Sequence, residues 1–263
     1  MALPKVVLPT YELIIPSNGK KIKYRPFVVK EEKVLLLALE TKDEKEIERS
    51  VRDLLKACIQ SRVKLEDLAM FDLEYIFLQI RAVSVGEIVE MNVTCKDDEK
   101  TQVKYTLNLS EVKVTKPEGH DPKIMLTDEM GVIMKYPSWN EFIGGSVMGK
   151  SPSADDIVEI MSGCIDQIFD KEDVYDNATT TKKEFIQFVE GLTNSQFEKI
   201  QGFFENIPIL EHRFTVKNPN TGVDSEFTIK RFTRQEEAVV LEAENLEYPS
   251  IRLLPKLIFR FGV

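Results

Sequence analysis

A change of period at Gly86 constrains this chain more than any other feature. Before it, "LEDLAMFDLEYIFLQIRAVSVG" puts Leu68, Phe71, Tyr75, Leu78 and Ala82 on one helical stripe and Leu73, Ile76, Phe77 and Ile80 on another. A helix apolar over that much of its circumference is buried between other elements. Gly86 ends it as helix-terminal glycines do. From Glu87 the pattern alternates instead. In "TQVKYTLNLSEVKVT" Val103, Tyr105, Leu107 and Leu109 face one way, with Lys104, Thr106 and Asn108 opposite. Together with "EIVEMNVTC" and "GVIMKYP", separated by polar turns such as "KDDEK", this reads as an antiparallel sheet with one wet face. An α+β fold follows.

The segments on either side fit that class. "YELIIP" and "KIKYRPFVV" flank "SNGK", where Asn18-Gly19 supplies the positive φ of a tight hairpin turn. "KEEKVLLLALET" begins a helix. A second, "DEKEIERSVRDLLKACIQS", repeats Ile47, Val51, Leu54, Leu55, Cys58 and Ile59 at helical spacing, which makes Cys58 a core residue. After Trp139, "ADDIVEIMSGCIDQIFD" and "TKKEFIQFVEGLTNSQFEKIQGFFENI" carry apolar residues at helical intervals, with "SADD" and "TTKKE" as capped starts. "HRFTVKNPNTGVDSEFTIKRF" is a second hairpin, turning at "NPNTG". "FVVKEEKVLLLALE" and "FTRQEEAVVLEAEN" echo one another, which reads as two helix starts with acids in the first turn, with a true duplication as the lesser alternative.

The expected organisation is therefore an N-terminal α+β domain over 1–137, with a hairpin, three helices and antiparallel strands over 87–137. A Gly/Ser/Pro linker over 138–152 follows. A C-terminal helical domain over 153–263 carries the hairpin 212–232 and an apolar tail.

Composition narrows the function. A chain of 263 residues with a net charge of −9 lacks the basic face expected of a nucleic-acid binder. Its longest apolar run, "VLLLAL", is far short of the roughly 20 residues that cross a bilayer. Three scattered cysteines make a poor disulfide framework, and no secretory signal opens the chain, so a soluble intracellular protein is expected.

Catalytic and ligand motifs fare poorly in context. "GGSVMGKS" at 144–151 has the spacing of a phosphate loop, but a proline-containing polar stretch precedes it and Pro152 follows Ser151. Asp155 and Asp156 in the next helical turn would repel a triphosphate. In "DVYDNATTTKKE", Asp173, Asn177 and Glu184 match calcium-loop positions, yet Tyr175 and Ala178 break the oxygen cage. No two of Cys58, Cys95, Cys164, His120 and His212 are spaced as zinc ligands. With His120 in a loop and His212 opening a strand, no nucleophile system emerges. The expectation is a protein without enzymatic activity, cofactor, metal or small-molecule substrate.

What remains is surface. "YPSIRLLPKLIFRFGV" sets Ile251, Leu253, Leu254, Leu257, Phe259 and Phe261 among Arg252, Lys256 and Arg260, and its two prolines prevent a regular helix. Those six apolar residues form a candidate partner interface.

"RPFVVKEEKVLLLALE", "FDLEYIFLQIRAVSVGE", "CIDQIFDKEDVYD" and "KEFIQFVEGLTNSQFEKIQGFFENIP" resemble, in order, the baseplate hub and hub-assembly proteins of T-even-like contractile-tailed bacteriophages. The resemblance spans about residues 8 to 230 and carries no active site with it. It implies a tail component of the virion that contacts other baseplate and tail proteins, with the host cytoplasm as its place of assembly. An assembly factor absent from the finished particle is the alternative, and a nucleotide-binding protein the more distant one. Where relatives carry paired cysteines after "SVGE", this chain has Cys95 alone.

Overall fold

The computed structural model describes residues 6–41, 43–138 and 153–230. The phosphate-loop-like segment, the expected linker beyond Ser138, the second copy of the echo and the apolar tail lie outside them. Six α-helices and eleven strands occur among the described residues, in small antiparallel sheets, so the α+β class holds. The described residues divide into two compact units: those within 6–65, 71–114 and 209–230 form one, those within 66–70, 115–138 and 153–208 the other.

The first unit opens with the expected hairpin, β1 (Tyr11–Ile14) and β2 (Lys21–Tyr24), in register from Tyr11 opposite Tyr24 to Ile14 opposite Lys21. Gly19 turns at a φ of 69° while Lys20 N–H donates to Asn18 Oδ1 at 3.0 Å. Helices α1 (Val29–Thr41) and α2 (Glu44–Cys58) follow. On α2, Ile47, Val51, Leu54, Leu55 and Cys58 are buried, as their stripe predicts. Each large apolar side chain buried there contributes roughly 1.5–3 kcal/mol. Helix α3 (Met70–Val85) buries Phe71, Leu73, Ile76, Phe77, Leu78, Ile80 and Ala82, so both stripes face inward. Even Arg81 is buried on it; its Nη1 donates to the Gly86 carbonyl at 2.5 Å, tying off the end of the helix.

Strands β3 (Ile88–Thr94) and β4 (Gln102–Asn108) pair antiparallel, from Ile88 opposite Asn108 to Thr94 opposite Gln102. A short strand, β5 (Lys113–Thr115), joins β10 (Ile209–Lys217) and β11 (Asp224–Lys230) in a sheet of order β11-β10-β5. Val93 and Cys95 of the first hairpin pack with Phe214, Val216 and Phe227 of the last in one buried cluster. The alternation read from the sequence is what creates it: each hairpin turns one apolar face to the other.

The second unit holds a sheet of order β6-β7-β8-β9: β6 (Lys123–Met125), β7 (Gly131–Met134), β8 (Ile165–Phe169) and β9 (Val174–Asp176). Helix α4 (Ala154–Gly163) precedes β8, and α5 (Lys182–Glu190) and α6 (Asn194–Glu205) follow β9. Ser153, Thr181 and Thr193 each close a capping box with the third residue of their helix. Leu126, Val132, Met134, Met161, Cys164, Ile165, Ile168, Phe185, Val189, Ile200 and Phe203 form the core. One sequence expectation fails here. The helix foreseen through Asp170 ends at Gly163, and Ile165–Phe169 becomes a strand paired on both sides, to β7 and to β9.

Candidate functional site

Helix α1 presents an apolar outer face that the described residues of its own unit leave uncovered. The helix is aimed by the chain just before it. Arg25 forms an ion pair with Glu31 (Nη2 to Oε1 2.7 Å, Nη1 to Oε2 2.9 Å), and Val28 N–H donates to Glu31 Oε2 at 2.9 Å. Both charged side chains are less than one-fifth exposed (19% and 18%), so the pair fixes the rotation of the first turn more firmly than a surface ion pair would. The Arg25 guanidinium holds the Glu31 carboxyl below its ordinary range. With that rotation set, Leu35 and Ala38 point into the unit, and Val29, Lys30, Lys33, Val34, Leu37 and Glu40 point to solvent.

Val29 is 80% exposed, and Val34 and Leu37 about half exposed. Val34 and Leu37 are three residues apart, hence side by side on the helix surface. An apolar pair edged by Lys30 and Lys33 can bind another protein surface, and it offers no nucleophile, general base or metal ligand set. Val6, Val7 and Ile14, in the same unit, are also exposed apolar residues.

The titratable residues singled out in the sequence occupy packing roles. His120 stacks on Tyr136 at 5.5 Å and lies 4.9 Å from the Phe203 ring, with Nε2 3.2 Å from the Tyr136 hydroxyl. Burial, helped by Lys116, pushes its pKa down and favours the neutral ring. His212 Nε2 lies 2.9 Å from the Tyr105 hydroxyl, inside a stack in which Tyr105 and Phe214 approach to 3.9 Å. The Cys58 thiol, beside Arg25 and Glu31, is pushed up to about 12, chiefly by burial and then by Glu31. Cys95 and Cys164 are buried, outside any disulfide, and lie in separate units. Burial suppresses thiolate formation at Cys58 and Cys95.

Of the calcium-loop positions, the Glu184 carboxylate is likewise committed elsewhere. Asp173 sits in a tight turn in which its N–H donates to Asp170 Oδ1 at 2.8 Å. Glu184 Oε2 accepts from the Thr181 N–H and hydroxyl at 2.7 Å each, as part of the α5 cap. Asp156 does the same for Ser153 immediately after the phosphate-loop-like segment, its carboxyl held low by those hydrogen bonds. No group of three or more His, Cys, Asp or Glu among the described residues is arranged to hold a metal ion. None of the described helices is long and apolar enough to cross a membrane. The six tail residues Ile251, Leu253, Leu254, Leu257, Phe259 and Phe261 lie outside the described residues.

Sequence reasoning missed the face of α1. The apolar run in "KEEKVLLLALET" marks a helix but not which of its sides is covered. The available signal was the pair Lys30 and Lys33 on the same helical face as Val34 and Leu37.

Neither the curated proteins nor the solved structures contain a match to this chain. A protein-family model described as "T4 bacteriophage base plate protein" matches residues 8–234, which takes in every element described above. The chain belongs to that family, the structural proteins of the phage tail baseplate.

Proposed function

We propose that this chain is a structural subunit of the baseplate hub, acting through protein–protein contacts as the baseplate assembles. The observation that carries the reading is the family match over residues 8–234. The exposed apolar face of α1 supports the reading as a contact surface, since exposed apolar patches mark interaction sites. The apolar residues Ile251, Leu253, Leu254, Leu257, Phe259 and Phe261 serve in this reading as a second docking segment for other baseplate or tail proteins. Folding precedes docking in the host cytoplasm, and incorporation places the protein in the virion.

The test is quantitative mass spectrometry of purified tails together with tail assembly in a deletion mutant. A hub subunit is found at fixed stoichiometry in finished tails, and its loss stops baseplate formation. Absence from finished tails with the same assembly block would identify a transient assembly factor instead. Normal tails without the protein would overturn both.

A further inference from the structure

We propose that strand β11 pairs antiparallel with β11 of a second copy of this chain, joining two three-stranded sheets into one of six strands across a two-fold axis. β11 is the edge strand of its sheet, and no described strand lies on its outer side. The direction of its backbone groups follows from the register. Asn218 N–H donates to the Val223 carbonyl at 2.9 Å, so 218 and 223 are a hydrogen-bonded pair. Hydrogen-bonded and non-hydrogen-bonded pairs alternate along an antiparallel ladder. Ser225, Phe227 and Ile229 therefore bond inward to Val216, Phe214 and His212, while Asp224, Glu226, Thr228 and Lys230 turn their N–H and C=O groups outward.

An exposed edge of this length is a template for another strand unless something covers it. Charge selects the occupant. In a two-fold pairing centred on Phe227, Asp224 stands opposite position 230, a lysine, and Glu226 opposite Thr228. All four outward residues are then bonded, and no two like charges are opposed. A pairing centred one residue earlier sets Glu226 against itself. The other seven-residue strands lack this symmetry: about their centres, Glu90 of β3 meets Asn92 and Lys104 of β4 meets Thr106. Only β11 among them carries opposite charges at symmetric outward positions. The inference is independent of which part of the baseplate the protein occupies.

Sedimentation velocity of the full chain over a concentration series tests it, with circular dichroism confirming that each variant is folded. The wild-type chain is expected to dimerise reversibly. Thr228→Pro removes an outward N–H without touching the bond to β10, and should weaken the dimer at least about tenfold. Asp224→Lys should weaken it too, and the double variant Asp224→Lys/Lys230→Asp should restore it, because the swap is again self-complementary. A wild-type chain that stays monomeric throughout the series overturns the proposal. So does a dimer indifferent to Thr228→Pro, or a charge swap that fails to rescue.

Discussion

Asn218 donates through Nδ2 to both carboxylate oxygens of Asp97, each at 3.0 Å, across 121 residues of sequence. The contact ties the turn of the β3–β4 hairpin to the turn of the β10–β11 hairpin. Thr221 Oγ1 donates to the same carboxylate at 2.5 Å, and Asn220 Nδ2 to Thr101 Oγ1 at 2.8 Å. Asn218 is fully buried, and its Oδ1 accepts from Asn220 N–H at 2.9 Å, so one side chain shapes its own turn and fastens it to the other.

Asn218→Ala removes both functions. The expected loss is about 1.5–3 kcal/mol, the range for hydrogen bonds to a charged group. Urea denaturation should show a lower midpoint with an unchanged slope, because the surface exposed on unfolding is the same. An unaltered midpoint would mean the hairpin tips are joined by the apolar cluster alone.

Gly131→Ala should be among the most damaging small substitutions. A Cβ there would come within 2.6 Å of the Ile124 carbonyl oxygen and 2.5 Å of the Phe169 ring. The first obstacle is backbone of the neighbouring strand, which cannot swing away as a side chain can. Thermal unfolding should drop by the equivalent of about 1–3 kcal/mol, the usual cost of overpacking. Gly202→Ala, where an added Cβ meets open space on α6, is the control and should be neutral or slightly stabilising.

Stability should fall on acidification in two stages. His120 has a folded pKa below its ordinary 6.5, so the stability tied to its neutral form is complete above that value. It is lost as the pH drops through the folded pKa. The lowered carboxyls of Glu31 and Asp97 act the same way at lower pH: their contribution is present above the ordinary carboxylate range and lost as the pH falls through their folded values. Urea midpoints measured from neutrality down to about pH 3 should show both stages. Glu31→Gln should flatten the lower one, and a midpoint that rises on acidification would contradict the assignment.

The three cysteines give a simpler readout. All are buried, and the Cys58 thiol is pushed up to about 12. Ellman's reagent should therefore titrate almost no thiol in the native protein at mild alkaline pH, and all of them after denaturation. Rapid reaction of one native thiol would show that a unit opens locally.

Much of this fold was legible because local pattern and tertiary role agree. The α2 stripe and the double stripe of α3 are buried where their spacing puts them, and Asn18-Gly19 turns the first hairpin. Ile165–Phe169 was not legible. Met161, Cys164, Ile165 and Ile168 fit a helical period, and only pairing with β7 and β9, made by distant residues, turns the segment into a strand. Strands of three residues such as β5, β6 and β9 are too short to display alternation. The outer face of α1 escaped for a related reason: composition reveals an apolar helix, whereas the covered side depends on where Arg25 meets Glu31.

That face leads to the prediction closest to function. Leu37→Asp and Val34→Lys place charges where the side chains are already half in water, so neither should shift the unfolding midpoint by more than about 0.5 kcal/mol. Leu35→Asp, one residue away but buried at 2% exposure, should unfold the unit and marks what damage to the fold looks like. If α1 docks on a baseplate partner, the two outer-face variants remain folded yet complement a deletion mutant poorly, with fewer complete tails counted by electron microscopy. Reversing the edge charges, Lys30→Glu with Lys33→Glu, should weaken complementation further at low salt than at high salt, since exposed charges are screened. Full complementation by Leu37→Asp would remove α1 from the set of contact surfaces.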